Sequence, residues 1–229
     1  MLKNIFSVEF FKQKNFILPV TIGTYFLVGI MLVLYRLITG STMLDYTKGY
    51  LVIDFFSGIV APFLLSNSVI QSVRQDKKAG NFLITNHLSN PYFEWGSAQI
   101  VFNWIYHVFI TTLMILFLGL IFNKSFSYLI AFNILNLFMV SAISYILTRN
   151  FSEVFAYIIS LAAIVISLIA RTPLFDTTML FIPITWNIRF TMYTMSIPKN
   201  FMIGISIFII MDLVLITLNY VISKVKNLA

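Results

Sequence analysis

The chain has 229 residues, of which 59% are hydrophobic and only 10% charged, with a mean hydropathy of +0.93. A soluble domain is about half apolar and about a quarter charged, so a water-soluble globule and a disordered chain are both excluded. There is no cysteine for a disulfide, thiolate metal site or nucleophile, and the net charge of +7 is spread over loop ends, a pattern of positive-inside bias and lipid headgroups and not of nucleic-acid binding.

The first element is Met1–Asn15, where Leu2, Ile5, Phe6, Phe10 and Phe11 alternate with Lys3, Glu9, Lys12 and Lys14. That spacing predicts a helix lying in the interface with its aromatics in the acyl boundary. A membrane span needs about 20 apolar residues, and six stretches approach or meet this: Phe16–Ile38, Tyr50–Ile70, Ile100–Phe122, Tyr128–Leu147, Val154–Ala170 and Phe201–Ile222. The first is longer than a signal-peptide core, and no small-x-small cleavage site follows it. The expectation is an all-α, six-span, single membrane domain over residues 1–229, without a separate catalytic domain. With the N-terminus inside, nine Lys/Arg lie on the inner side (Lys3, Lys12, Lys14, Arg74, Lys77, Lys78, Arg149, Lys224, Lys226) and six outside. Both termini are then cytoplasmic.

Two connections stand out. Gln71–Gln99 holds the cluster Arg74-Gln75-Asp76-Lys77-Lys78, then Ala79-Gly80, then the amphipathic run 81–88. Asn90 followed by Pro91 reads as N-cap and first helical residue, so the third span is expected to start below the membrane, with Trp95 at headgroup level. This is a surface on which a soluble partner could push. Arg171–Lys199 is too apolar for a free loop, yet Asp176, Pro183 and Arg189 make it a poor span. Two short helices re-entering the outer leaflet are expected there.

Ionisable residues within spans are suspects for function because inserting them is costly. They are Arg36, Asp54, His107 and Asp212. Arg36 and Asp54 lie at similar depth near the outer face and are expected to pair. His107 is expected to hydrogen-bond a neighbouring helix, and Asp212 reads equally as an interhelical clamp or a pathway residue. No phosphate-binding Gly-x-x-x-x-Gly-Lys sequence occurs among the nine glycines, so the chain is not its own ATPase by that route. Two histidines and no His-Glu-x-x-His leave little for a zinc site. Gly204-Ile205-Ser206 with His107 is the one protease-like pairing, weakened because Ile207 stands where a glycine usually follows.

The six spans, interfacial first helix, charged first cytoplasmic loop and apolar segment before the last span together resemble the permease subunits of type-2 ABC exporters. The stretch Asp76-Lys77-Lys78-Ala79-Gly80-Asn81-Phe82-Leu83 is most similar to the small permeases of bacteriocin self-immunity exporters and of phenol-soluble modulin exporters in Gram-positive bacteria. The chain departs from the family at Leu88-Ser89, where a proline is common, and at Gln99, where a lysine is common. The resemblance implies a multi-pass protein of the bacterial plasma membrane that dimerises and pairs with a cytosolic ATPase subunit. ATP and magnesium would be bound by that partner, with no cofactor in this chain. The substrate would be an amphipathic or hydrophobic peptide. Arg74, Asp76, Lys77, Lys78, Gly80, Phe82 and Leu83 would form the coupling element. The competing readings are the substrate-binding membrane component of a vitamin importer, which docks through small-residue stripes but would lack any Ala-x-x-x-Ala here, and a non-transport scaffold or immunity protein.

Overall fold

A computed structural model describes residues 2–15, 17–39, 53–79, 91–122, 127–169, 182–189 and 200–228. Among them nearly every residue is helical and none lies in a strand. The helices are α1 (Leu2–Gln13), α2 (Ile17–Thr39), α3 (Ile53–Lys78), α4 (Pro91–Phe122), α5 (Ser127–Asn150), α6 (Glu153–Ile169) and α7 (Asn200–Leu228). Four of them, α3, α4, α5 and α7, are each long and apolar enough to cross a membrane, and the bent pair α1–α2 makes a fifth candidate. All six apolar stretches are thus helical where described. α6, however, has 17 residues, about 25 Å of rise, which is short of the ~30 Å hydrocarbon core.

α4 begins at Pro91, where the sequence places its start, and runs for 32 residues. Its ~48 Å exceeds the ~30 Å bilayer core. Contacts between distant residues show which helix ends lie together. Lys12 of α1 meets Asp76 at the end of α3 and Trp95 at the start of α4. Arg74 meets Glu153 at the start of α6, and Phe93 stacks edge-on with Tyr220 near the end of α7, ring centres 5.3 Å apart. We call this the basal end. At the opposite end Tyr128 packs on Phe201 at 5.0 Å, so α5 and α7 run parallel.

α3 is the hub. It touches α5, α4 and α6 and also α1 and α2, and its buried side chains Phe56, Leu65, Val69 and Val73 join the main apolar core with Tyr25, Phe132, Leu137 and Tyr145. Its first part is a π turn, Phe56–Val60, in which the Ala61 N–H bonds the Phe56 carbonyl five residues back. The cause lies one residue on. Pro62 has no N–H, and its ring would collide with the Gly58 carbonyl in a regular α-turn; the wider turn relieves that collision. Gly58 is also approached by the helical turn at 186–189. A Cβ there would stand 2.7 Å from Ile188 Cγ1, and Asn187 Nδ2 donates to the Ser57 carbonyl at 3.3 Å.

Of the expected re-entrant pair, only 182–189 lies in the described residues: a 3-10 turn, Pro183–Thr185, running into one helical turn. It is buried rather than laid on the surface, with Thr185, Asn187, Ile188 and Arg189 each almost fully covered and Trp186 edge-on to Phe208. α1 departs from the expected picture on one face. Phe10 and Phe11 are exposed as an interfacial helix requires, but Glu9, expected on the wet side, is fully buried against α3 and α4, and so is its neighbour Gln13.

Candidate functional site

Along α4, every fourth residue on one face is polar: Trp95, Gln99, Asn103, His107 and Thr111. Four-residue spacing keeps side chains in line on one face of a helix, and the stripe extends ~24 Å. The last four members are wholly buried. α3 answers with its own four-residue series, Ser68, Ser72 and Asp76, also buried. The α1–α2 pair supplies Glu9, Gln13, Thr21 and Tyr25, all buried. The result is a continuous polar track enclosed by apolar helices.

The basal end of the track is a charged knot. The Lys12 ammonium bridges two carboxylates, pairing with Glu9 and, at 2.6 Å, with Asp76 Oδ1. Asp76 Oδ2 accepts from Trp95 Nε1 at 2.9 Å and from Gln99 Nε2 at 2.5 Å. Glu9 accepts from the Ser72 hydroxyl at 2.7 Å and from Gln99 Nε2 at 3.1 Å. Every charge therefore has a partner, which is the condition for tolerating it inside. One acceptor, Gln99 Oε1, has no hydrogen-bond partner among the described residues. One turn up, Gln13 Nε2 donates to Asn103 Oδ1 at 3.2 Å, and Asn103 Nδ2 to the Gln99 carbonyl at 2.9 Å.

The middle of the track is a relay of hydrogen bonds with one consistent direction. Ser68 Oγ donates to the Leu64 carbonyl at 3.0 Å, so His107 Nε2–H must donate to Ser68 Oγ at 3.0 Å. His107 Nδ1 then accepts from the Tyr25 hydroxyl at 2.9 Å. The chain of donors fixes one tautomer of the imidazole. In this arrangement the Ser68 hydroxyl is directed to a backbone carbonyl, and Ser68 and His107 are both buried. Ser206, the other serine considered, is exposed and donates to the Met202 carbonyl at 2.9 Å, four residues back on its own helix. The track closes with Asn133 Nδ2 of α5 donating to Thr111 Oγ1 at 2.9 Å.

A second polar seam joins α3 to α5 and α6. Ser144 donates to Ser66 at 2.9 Å and Ser66 meets Ser160 at 2.5 Å, while Gln71 donates to Tyr157, which donates to Asn67 at 3.0 Å. Backbone fit is close where α4 crosses α5: a Cβ on Gly96 would overlap the Tyr145 hydroxyl and ring.

The residues expected at the coupling element separate into two groups. Arg74, Asp76, Lys77 and Lys78 form the last turns of α3, whereas Gly80, Phe82 and Leu83 lie outside the described residues. Asp76 turns inward to the knot and is buried, so it is not available to a soluble partner. Arg74 pairs with Glu153 at 3.1 Å, Lys77 Nζ donates to the Thr148 carbonyl at 2.6 Å, and Lys78 is exposed. Asp54 is buried at the start of α3; the Arg36 side chain lies outside the described residues, and with it the expected ion pair. Asp212 is buried on the inner face of α7, and its Oδ1 has no hydrogen-bond partner among the described residues. His107 bonds α2 and α3, as expected of an interhelical hydrogen bond.

Of the stripe on α4 only His107 is ionisable; the indole, amides and hydroxyl of Trp95, Gln99, Asn103 and Thr111 carry no charge and gave no signal as intramembrane charges. The signal was present as Trp95, Gln99, Asn103, His107 and Thr111 at constant spacing. Among the described residues no group of three or more His, Cys, Asp or Glu side chains is placed to hold a metal ion. No protein-family model matches the chain, and no curated protein or solved structure matches it either.

Proposed function

We propose that the chain is the membrane-spanning permease subunit of an ATP-driven exporter of amphipathic or hydrophobic peptides. In this reading six helices cross the membrane, with α6 crossing where the bilayer thins around it, and the basal end with both termini faces the cytoplasm. The permease dimerises, and a cytosolic ATPase docks on the segment from Arg74 to Leu88. The chain itself carries out no covalent chemistry, and ATP and magnesium belong to the partner.

One observation carries the reading. The connection between α3 and α4 springs from two helix ends that are tied to each other and to α1 by the Glu9–Lys12–Asp76–Trp95–Gln99 knot. A push on that connection would move three helices as one body instead of bending one of them. The polar track continues the tie ~24 Å along α4, so a displacement at the base would reach the middle of the bundle. Asp76 acts in this reading from inside, as part of the tie, while Lys77, Lys78 and Phe82 are the residues assigned to docking the partner.

The test is co-expression with a cytosolic ATPase and reconstitution into proteoliposomes. Lys77→Glu with Lys78→Glu, or Phe82→Asp, should lower peptide export at least tenfold while membrane insertion is unchanged. Unaltered export together with unaltered ATPase association would refute the docking assignment.

A further inference from the structure

At the basal end, beside the track and not part of it, the last turn of α3 and the α5–α6 turn enclose a cleft of about 340 Å³ lined by Arg74, Lys77, Lys78, Phe151, Ser152 and Glu153. Three cations face one carboxylate. Arg74 and Glu153 pair at 3.1 Å with both side chains partly exposed, Lys77 is anchored on the Thr148 carbonyl, and Lys78 is exposed. Ser152 Oγ accepts from the Phe155 N–H at 3.0 Å and caps α6, which fixes the cleft wall. Directly alongside stands an apolar ridge. Phe151 is 66% exposed, Val154 63% and Phe155 40%, and the two phenyl rings pack at 5.4 Å.

Cations and exposed aromatics in such contact have one natural occupant at this position. The cleft lies at the ends of the apolar helices α3 and α5, where a bilayer crossed by them would present its phosphates, and the ridge continues from it along α6 through Ile158 and Leu161. A free anion would use the cations but leave Phe151 and Phe155 bare. A phospholipid uses both: its phosphodiester meets Lys77 and Lys78, and an acyl chain covers the ridge. We propose that this cleft is a binding site for an anionic membrane phospholipid, held by its phosphate at Arg74, Lys77 and Lys78 and by its chain on Phe151 and Phe155. Such a lipid would fasten the end of α3 to the start of α6. The inference requires only that the helices lie in a membrane; because the exporter reading gives Lys77 and Lys78 to the ATPase, lipid and ATPase would share these two side chains, and lipid binding by the isolated chain tests the cleft without the ATPase.

The experiment uses the full chain in a neutral detergent, titrated separately with phosphatidylglycerol, phosphatidylcholine and inorganic phosphate, with bound lipid counted by native mass spectrometry and thermal stability read in parallel. Phosphatidylglycerol should bind at least tenfold more tightly than phosphatidylcholine. Lys78→Gln, a change at an exposed side chain that leaves folding intact, should weaken it about fivefold, the equivalent of about 1 kcal/mol per basic residue at a membrane surface. Phe151→Ser should weaken phosphatidylglycerol and leave inorganic phosphate unaffected. Equal binding of the two lipids, or an unchanged Lys78→Gln variant, would overturn the site. Inorganic phosphate that displaces the lipid at comparable concentration would overturn its assignment to lipid in favour of a bare anion pocket.

Discussion

α3 and α7 have similar lengths and opposite characters. The most apolar window of α3 has a mean hydropathy of 1.6 and is 72% buried, whereas that of α7 reaches 2.6 and is 22% buried. In water the more apolar helix would be the one inside. In a bilayer the ranking inverts, because lipid tails offer an apolar side chain as good a home as another helix does. What drives α3 inward is what lipid does not supply: partners for Asp76, Ser72, Ser68, Ser66, Gln71 and Asn67. α7 carries few such groups, and Met202, Ile203, Ile210, Leu213, Val214 and Val221 lie exposed along it.

The contrast breaks most sharply at the knot. Lys12→Met leaves Glu9 and Asp76 buried without their shared cation, and such an unmatched charge costs about 3–5 kcal/mol. Denaturation in detergent should show a loss of that size, largely recovered when Glu9→Gln and Asp76→Asn are added, since neutral amides no longer need the ammonium. A triple variant no more stable than Lys12→Met would mean that the knot is not what holds α1.

Packing on α3 comes next. Gly58→Val places methyl groups where Ile188 stands, and overpacking of this kind costs about 1–3 kcal/mol. Gly23, which has open space around its missing Cβ, should accept alanine without loss. A thermal melt of the two variants side by side separates the filled site from the empty one.

His107→Leu should cost about 1–2 kcal/mol through the abandoned Tyr25 and Ser68 hydroxyls. A double-mutant cycle with Tyr25→Phe should give a coupling of roughly 0.6 kcal/mol, the mean for interhelical hydrogen bonds in membranes. Additive losses would show that the two side chains act separately. The smallest effect belongs to α7: Ile210→Ala, on its exposed face, should change stability by no more than about 0.5 kcal/mol.

Much of the fold was legible because hydropathy and Pro91 speak locally. The helical stretches and the start of α4 at Pro91 follow from them. The site was legible only in part. Period-four polar spacing on α4 is written in the sequence, but hydropathy weighs Gln99, Asn103 and Thr111 as mere dilution of an apolar run. Glu9 was misplaced because amphipathicity sorts residues by polarity, and its partners Ser72 and Gln99 lie 63 and 90 residues away. The π turn had one local sign, Pro62, which predicts a disturbance without its form. Asp76 sat in a run of charges that read as a single solvated surface; the helical turn sends it to the opposite side from Lys78.

The central claim is that the knot passes force from a docked ATPase into the bundle. It is tested most directly by the ratio of peptide exported to ATP hydrolysed in proteoliposomes carrying the Asp76→Asn variant, which keeps the size of the side chain but loses its charge on Lys12. The account predicts ATP hydrolysis near the parent rate with export reduced at least tenfold. Export and hydrolysis both at parent levels would contradict it.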